Sequence, residues 1–118
     1  MAVKEALKNV VSGTGEIGEA TINASKDLVK TGATGVGDLI HTGFEVVKDT
    51  GHDTIDFIKN LVVGAVDATK ETAGAGEDAA STVIQKAEQA AGEITEEGGE
   101  AVRKGVAEAK KIVVEPFK

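Results

Sequence analysis

The feature that most constrains the fold of this chain is an eleven-residue repeat. Starting at Val3, the sequence divides into ten consecutive units of eleven residues that end at Ile112, and no insertion or deletion is needed. When the positions of each unit are numbered 1 to 11, apolar side chains fill about two thirds of positions 1, 4, 5, 8, 9 and 11. They fill fewer than a tenth of the other five positions. Every unit is therefore divided into an apolar set and a polar set.

Eleven residues correspond to three turns at about 3.67 residues per turn, close to the 3.6 of an α-helix. On a helix the six apolar positions are neighbours on an arc of roughly 200°, and the five polar positions fill the remainder. The period-two alternation of a half-buried strand is absent. The sequence therefore predicts an all-α chain: a long amphipathic helix, or helices, with hendecad periodicity, straight to slightly right-handed, in a homo-oligomeric bundle when ordered.

The apolar arc changes in width along the chain. Position 9 is apolar in the first six units and holds no apolar residue in the last four. We therefore divide the repeats at 3–112 into a part with a wider apolar face, 3–68, and a part with a narrower one, 69–112, followed by a C-terminal tail at 113–118. The richest stretch of the face is the predicted interaction stripe, formed by Val36, Leu39, Ile40, Phe44, Val47, Phe57, Ile58, Leu61 and Val62.

Position 8, near the middle of the apolar arc, is always small or β-branched. Small residues there would let the backbone of a second helix approach closely, although drift in a low-complexity repeat would leave the same pattern. The predicted close-packing positions are Gly32, Gly43, Ala65, Gly76, Ala87 and Gly98. If the chain folds back instead of forming one rod, the glycine-dense segments 32–37, 74–76 and 98–99 are where we expect it to turn.

The polar arc has its own order. Position 3 is acidic in seven of the ten units, and position 2 is basic in six. Position 2 lies at the border of the apolar arc, where a lysine can lay its methylene groups on the apolar face and keep its ammonium group in water. The charge pattern is thus typical of a helix with one face in water.

Composition limits what such a helix can do alone. The chain has no Trp, Tyr or Cys, three Phe and 15 Gly, and each Gly inside a helix costs roughly 1 kcal/mol relative to Ala. We therefore expect the helix to need a partner. The net charge of −7 argues against nucleic acid as that partner, and it weakens the case for a strongly anionic membrane. We find neither a signal peptide nor an apolar run long enough for a transmembrane segment, so a cytoplasmic location is expected.

No residue pattern points to catalysis, a metal or a cofactor. His41 and His52 are the only histidines, and both occupy position 6 on the polar face, where three helical turns would separate them by about 16 Å. A phosphate-binding loop directly follows a β-strand, and none of the Gly-x-Gly segments follows one. No His lies beside a nucleophile at a defined turn. The sequence predicts a protein that is not an enzyme and has no catalytic, cofactor-binding or metal-binding residues.

Two of the units, TKETAGAGEDA and AGEITEEGGEA, resemble the repeats of group 3 late-embryogenesis-abundant (LEA) proteins, which also combine Thr, Lys, Glu, Ala and Gly with an apolar stripe. The segments SKDLVKTGATGVGDL and VVGAVDATKETAGAG also look like the lipid-binding repeats of synucleins and exchangeable apolipoproteins. The resemblance covers residues 3–112. It implies a chain that is disordered alone and becomes helical when dried, bound to lipid or packed against copies of itself.

The resemblance implies a function of protecting or coating membranes or client proteins through the helical apolar stripe. The alternative is a self-associating right-handed coiled coil that serves as a scaffold, stalk or filament subunit. The central units are more apolar than those of group 3 LEA proteins, and the chain is more acidic than synuclein repeats. Both departures favour self-association. The expected partners are therefore a lipid surface, client proteins or further copies of the chain.

Overall fold

The computed structural model describes residues 2–12, 17–32, 34–51, 53–73, 77–95 and 97–113. All regular structure within these ranges is α-helical, so the all-α prediction is confirmed. The helices are α1 (Ala2–Ser12), α2 (Ile17–Lys30), α3 (Val36–Thr50), α4 (Thr54–Ala73), α5 (Glu77–Glu93) and α6 (Gly99–Val113). Because α6 includes Val113, it takes in the first residue of the predicted tail.

The chain does not form one continuous rod in this structure, because glycines interrupt its helices. α3 ends at Gly51, which has a left-handed backbone (φ 75°) and donates its N–H to the carbonyl oxygen of Val47 at 2.8 Å. Glycine adopts this conformation without the steric cost that a side chain brings, and it is the usual residue just after a helix. The longest helix is α4, with 20 residues. A continuous helix through all ten units remains a prediction.

Two of the three expected fold-back places are confirmed. Gly32 (φ 80°) lies between α2 and α3, and Gly98 (φ 101°) directly precedes α6. The third place, 74–76, lies outside the described residues. The break at Gly51 was not predicted, since one isolated glycine does not stand out among 15.

The six described helices form three hairpins that stack on one another. α1 and α2 form the N-terminal hairpin, α3 and α4 the central hairpin, and α5 and α6 the C-terminal hairpin. Across the stack, α1 contacts α3 and α3 contacts α5, while α2 contacts α4 and α4 contacts α6. The result is two layers of three helices, with overall dimensions of 35 × 27 × 23 Å. Stacking of helix pairs against their neighbours is the arrangement of α-solenoids.

α4 is the centre of the stack, and it contacts every described helix except α1 closely. Two glycines let its neighbours approach its backbone. A Cβ built on Gly105 of α6 would lie 2.8 Å from the carbonyl oxygen of Ile55, and one built on Gly64 of α4 would lie 2.7 Å from the Cβ of Ser25 in α2. The Ser25 hydroxyl donates a hydrogen bond to the carbonyl oxygen of Leu61 at 2.5 Å. Small residues therefore set the distances of α2 and α6 from α4.

The buried residues lie almost entirely on the predicted apolar arc. Among the described residues of the ten units, those that are buried occupy positions 1, 4, 5, 8, 9 and 11, with two exceptions. The exceptions, Asn60 and Gly64, lie on the side of α4 that α2 covers. Burial therefore extends onto the polar arc only in the central helix, which is covered from both layers.

Candidate interaction stripe

The predicted interaction stripe lies in the interior of the chain itself. Its nine residues belong to α3 and α4, and each is at most 8% exposed. Ile112 is the one large apolar side chain in the described part of the chain that is exposed. In this structure the partner of the stripe is therefore the rest of the same chain. Any other apolar surface reaches the stripe only after helices separate.

The predicted close-packing positions take different roles. Gly43 lies against the side chain of Leu61, and Ala65 and Ala87 are fully buried. A Cβ on Gly98 would lie 3.0 Å from the ring of Phe44. Gly32 is exposed, with nothing near its Cβ direction, so it serves the turn and not a helix contact. Gly76 lies outside the described residues.

Sequence reasoning missed the two glycines at the closest helix approaches. Gly64 occupies position 7 and Gly105 position 4, whereas the prediction considered position 8 alone. A usable signal was present, because each of these glycines lies inside a helix next to a valine or alanine of the apolar arc. A glycine that interrupts an apolar helix interior costs helix stability, so a helix contact is a physical reason to have it.

Ion pairs join the first two hairpins at the surface. In the α1–α3 clasp, the Nζ of Lys4 is 3.3 Å from a carboxylate oxygen of Glu45 and 3.3 Å from one of Asp49. The Nζ of Lys8, one turn later, is 3.4 Å from the same Asp49 oxygen. Two lysines of α1 thus hold one carboxylate of α3 between them.

The same arrangement recurs between α2 and α4. In the α2–α4 clasp, Lys30 Nζ is 2.8 Å from one oxygen of Glu71, and Lys26 pairs with the other oxygen. Each of these three residues lies 22 positions, or two repeat units, after its counterpart in the α1–α3 clasp. The N-terminal hairpin is therefore joined to the central hairpin by equivalent contacts in both layers.

The clasps change the pKa values of their members in the direction that strengthens them. The hydrogen bond from Lys26, followed by that from Lys30, lowers the pKa of Glu71 to about 2. The hydrogen bond from Lys4 likewise lowers the pKa of Asp49. The lysines respond in the opposite sense: the hydrogen bond to Glu71 raises the pKa of Lys26, and that to Asp49 raises the pKa of Lys4. Near neutral pH both clasps are therefore fully charged.

The contact between the central and C-terminal hairpins is mainly apolar. Val83 and Ile84 of α5, with Val102 and Val106 of α6, are at most 2% exposed and belong to the same core as the stripe. At the surface, His41 of α3 lies 2.9 Å from Glu93 of α5. Within the C-terminal hairpin, Arg103 donates to the carbonyl oxygens of Ala91 and Ile94 at 3.5 and 3.4 Å, where α5 ends.

Three other features of the described residues bear on function: metal-binding groups, surface grooves and membrane-spanning helices. Within them, no group of three or more His, Cys, Asp or Glu could hold a metal ion, and His52 lies outside them. An open groove of about 460 Å³ runs between the start of α4 and α6, lined mainly by charged residues such as Asp56 and Lys104. None of the helices described is both long enough and apolar enough to cross a bilayer.

Comparisons with protein-family models, with curated proteins and with solved structures find no match for this chain.

Proposed function

We propose that this chain is a non-enzymatic, LEA-like amphipathic protein that protects or coats membranes or client proteins through its helical apolar stripe. In the folded chain the stripe is covered by the other helices. Function then requires the hairpins to separate, so that the stripe exchanges its own helices for an external apolar surface. Such an exchange moves apolar side chains from one dry environment to another, and the burial that is lost is largely regained.

The observation that carries this proposal is the continuity of the repeat across the turns. A stack of hairpins does not need the helical phase of one helix to match that of the next. Here the eleven-residue register runs through every interhelical segment without insertion, and the apolar positions in those segments hold no charged residue. The only proline is Pro116, so no interhelical segment contains the residue that blocks helix formation. These features support a second state in which the hairpins open into a longer amphipathic helix.

A disulfide that holds two hairpins together tests the proposal. The Cβ of Ala90 in α5 lies 4.0 Å from the place of a Cβ on Gly37 in α3, which is within the range found in disulfides. The chain has no cysteine of its own. The double variant Gly37→Cys with Ala90→Cys is compared in its oxidised and reduced forms. The assays are flotation with neutral phosphatidylcholine vesicles, which offer no anionic lipid, and protection of a drying-sensitive enzyme.

We expect the reduced double variant to bind vesicles or protect the enzyme as the unmodified chain does, and the oxidised form to lose that activity. The single variant Gly37→Cys, under oxidising conditions, is the control for the oxidant. Equal activity of the locked and unlocked proteins would contradict a role for the buried stripe.

The alternative function is a self-associating scaffold, in which the stripe of one copy packs on that of another. The apolar central units favour it, because they supply the large side chains that a helix–helix seam uses. Sedimentation over a wide concentration range separates the two. A scaffold gives concentration-dependent oligomers without any added surface, whereas a coating protein stays monomeric until vesicles or clients are present.

A further inference from the structure

We infer that the N-terminal hairpin is a detachable arm whose four clasp lysines bind an anionic lipid surface after they leave the carboxylates of the central hairpin. This inference rests on the proposed function, because it names the surface that the amphipathic helices meet first. It also assigns the order of opening: the N-terminal hairpin leaves, while the central and C-terminal hairpins stay packed.

The burial of the N-terminal hairpin is shallow. Among the described side chains of α1 and α2, the buried ones are Leu7, Thr21 and Ser25, of which Leu7 alone is large and apolar. Other apolar residues of these helices, such as Ile22, Leu28 and Val29, are only half-buried. Segments with few buried apolar contacts open at lower free energy than the core of the same protein. The contact between α2 and α4 is more extensive than that of any other pair of described helices, but it is made partly by small side chains such as Ser25 and buries few large apolar groups. The N-terminal hairpin therefore has the least apolar burial to lose when it separates.

Exposed charges form two of the contacts that hold the arm in place. The lysine side chains of the two clasps are 31% to 48% exposed, and the carboxylate side chains 40% to 59%. Ion pairs with this exposure are weak and are screened by salt. A surface dense in negative charge competes directly with Glu45, Asp49 and Glu71 for the same ammonium groups. The contacts that close the arm are thus the contacts that such a surface replaces.

The charge of the chain is distributed in a way that favours this exchange. Residues 2–32 contain four Lys and four Asp or Glu, so their net charge is zero, and the remaining residues carry the whole net charge of −7. The four lysines are Lys4, Lys8, Lys26 and Lys30, which are the lysines of the clasps. An anionic surface is repelled least by the N-terminal hairpin. Once the arm is free, its half-buried apolar residues and its lysines lie on adjacent faces of the same helices.

Two sets of charge-neutralising variants separate the two roles of the clasps. The carboxylate set, Glu45→Gln, Asp49→Asn and Glu71→Gln together, opens the clasps and leaves the lysines free. The lysine set, Lys4→Gln, Lys8→Gln, Lys26→Gln and Lys30→Gln together, opens the clasps and removes the cations. Lys104→Gln with Glu100→Gln, an exposed pair within α6, is the control. All are studied by segment-resolved hydrogen exchange and by flotation with phosphatidylcholine vesicles, with and without phosphatidylserine.

We expect both sets to speed hydrogen exchange in residues 2–30 by up to about fivefold per clasp, with exchange in 77–113 unchanged. The carboxylate set should then bind phosphatidylserine vesicles more tightly by about the same factor, because a larger fraction of the arm is open. The lysine set should bind them less tightly than the unmodified chain. Raising the salt from 20 to 500 mM should speed exchange of the unmodified arm in the same way.

The outcomes that overturn the inference differ from those that overturn the proposed function. If the lysine set binds phosphatidylserine vesicles as well as the carboxylate set, the lysines are not the contact. If residues 2–30 and 77–113 exchange together in every variant, the arm does not open by itself. Neither result bears on coating of apolar surfaces in general. Failure of the unmodified chain to bind any vesicle or protect any client is the result that removes the proposed function.

Discussion

The two junctions of the hairpin stack are built from different chemistry. The N-terminal and central hairpins meet through two charged clasps, a hydrogen bond from Ser25 and an apolar contact, in which Leu7 is buried and side chains such as Leu28 pack half-buried against the core. The central and C-terminal hairpins meet through an apolar core to which all four of their helices contribute. Salt screens exposed ion pairs, whereas it does not screen apolar burial. The first junction should therefore loosen more than the second as the salt concentration rises.

This difference teaches that a regular repeat does not produce a uniform protein. The N-terminal units have the wider apolar face in sequence, yet their apolar residues are less buried than those of the narrower C-terminal units. Both end hairpins have a neighbour on one side only. That one neighbour covers the narrower apolar face of the C-terminal hairpin, whereas it leaves part of the wider face of the N-terminal hairpin uncovered. The burial of a unit thus depends on how well the width of its apolar face matches the neighbours that cover it.

The largest expected difference between the two junctions comes from substitution of two leucines. Leu61 and Leu7 are both fully buried, but Leu61 lies in the central helix and Leu7 in the arm. Leu61→Ala should lower the free energy of unfolding of the whole chain by about 2–5 kcal/mol. Leu7→Ala should speed hydrogen exchange in residues 2–30 and leave 77–113 nearly unchanged. Denaturant unfolding and segment-resolved exchange measure the two effects.

Equal loosening of the C-terminal hairpin by both leucine variants would show that the stack unfolds as one unit. In that case the chemical difference between the junctions would have no consequence for opening.

The next effect concerns the close approach of α6 to α4. Gly105→Ala places a methyl group 2.8 Å from the carbonyl oxygen of Ile55 and 2.8 Å from the Cβ of Ile58. Backbone must shift to relieve this contact, and overpacking of this kind costs about 1–3 kcal/mol. Gly92→Ala in α5 is the matched control, because nothing lies within 4 Å of its Cβ direction. It should stabilise the chain by up to about 1 kcal/mol. We expect Gly105→Ala to lower the midpoint temperature of thermal unfolding and Gly92→Ala to raise it.

The sequence was sufficient for the faces of the helices but not for their pairing. Periodicity reports which side of a helix is apolar, and burial follows that side except at Asn60 and Gly64. It does not report which helices become neighbours. The residues Lys4 and Lys8 repeat at Lys26 and Lys30 in the sequence, but each pairs with a carboxylate 41 or 45 positions away. The second clasp lies two repeat units after the first, so the register copies the contact along the chain, but it does not set which units face each other.

The turns were predictable only where glycines cluster. Dense glycine marked the breaks next to Gly32 and Gly98, whereas Gly51 ends α3 alone. The candidate stripe is the most apolar segment of the sequence, and its role as an interaction surface stays a prediction. Its burial within the same chain could not be read from the sequence, because an apolar arc has the same appearance whether it faces a lipid, a second copy or its own neighbours.

A smaller effect is expected at the hydrogen bond between α2 and α4. Ser25→Ala removes the donor to the carbonyl oxygen of Leu61 in a buried place, which typically costs about 0.5–1.5 kcal/mol. The loss should appear as faster exchange in residues 2–30. Ser81→Ala in α5 is the control for the higher helix propensity of alanine. If Ser25→Ala changes exchange no more than the control does, the hydrogen bond does not hold the arm.

The smallest expected effect is the pH dependence of arm opening, and the lowered pKa of Glu71 sets its direction. The pKa of this group is lowered from 4.5 to about 2, so its contribution to closing the arm is complete above pH 4.5. That contribution is lost as the pH falls through about 2. Asp49, whose pKa is also lowered, acts in the same direction. On the basic side, the raised pKa of Lys4 and Lys26 keeps these two lysines charged beyond pH 10.5, and their contribution is lost as the pH rises through the raised values.

Energy transfer between dyes on the exposed residues Asn9 and Thr82, after substitution by cysteine, reports the distance between α1 and α5. The efficiency of energy transfer should stay constant from pH 5 to 10 at low salt. It should fall below pH 4.5, because the dyes move apart as the arm opens. In Glu71→Gln the carboxylate is absent, so the α2–α4 clasp is already open at neutral pH and the acid transition should shrink. A transition of unchanged size in this variant would mean that other carboxylates control the arm. The clasp would then be a consequence of helix packing, and the apolar contacts of Leu7 would be what keeps the arm closed.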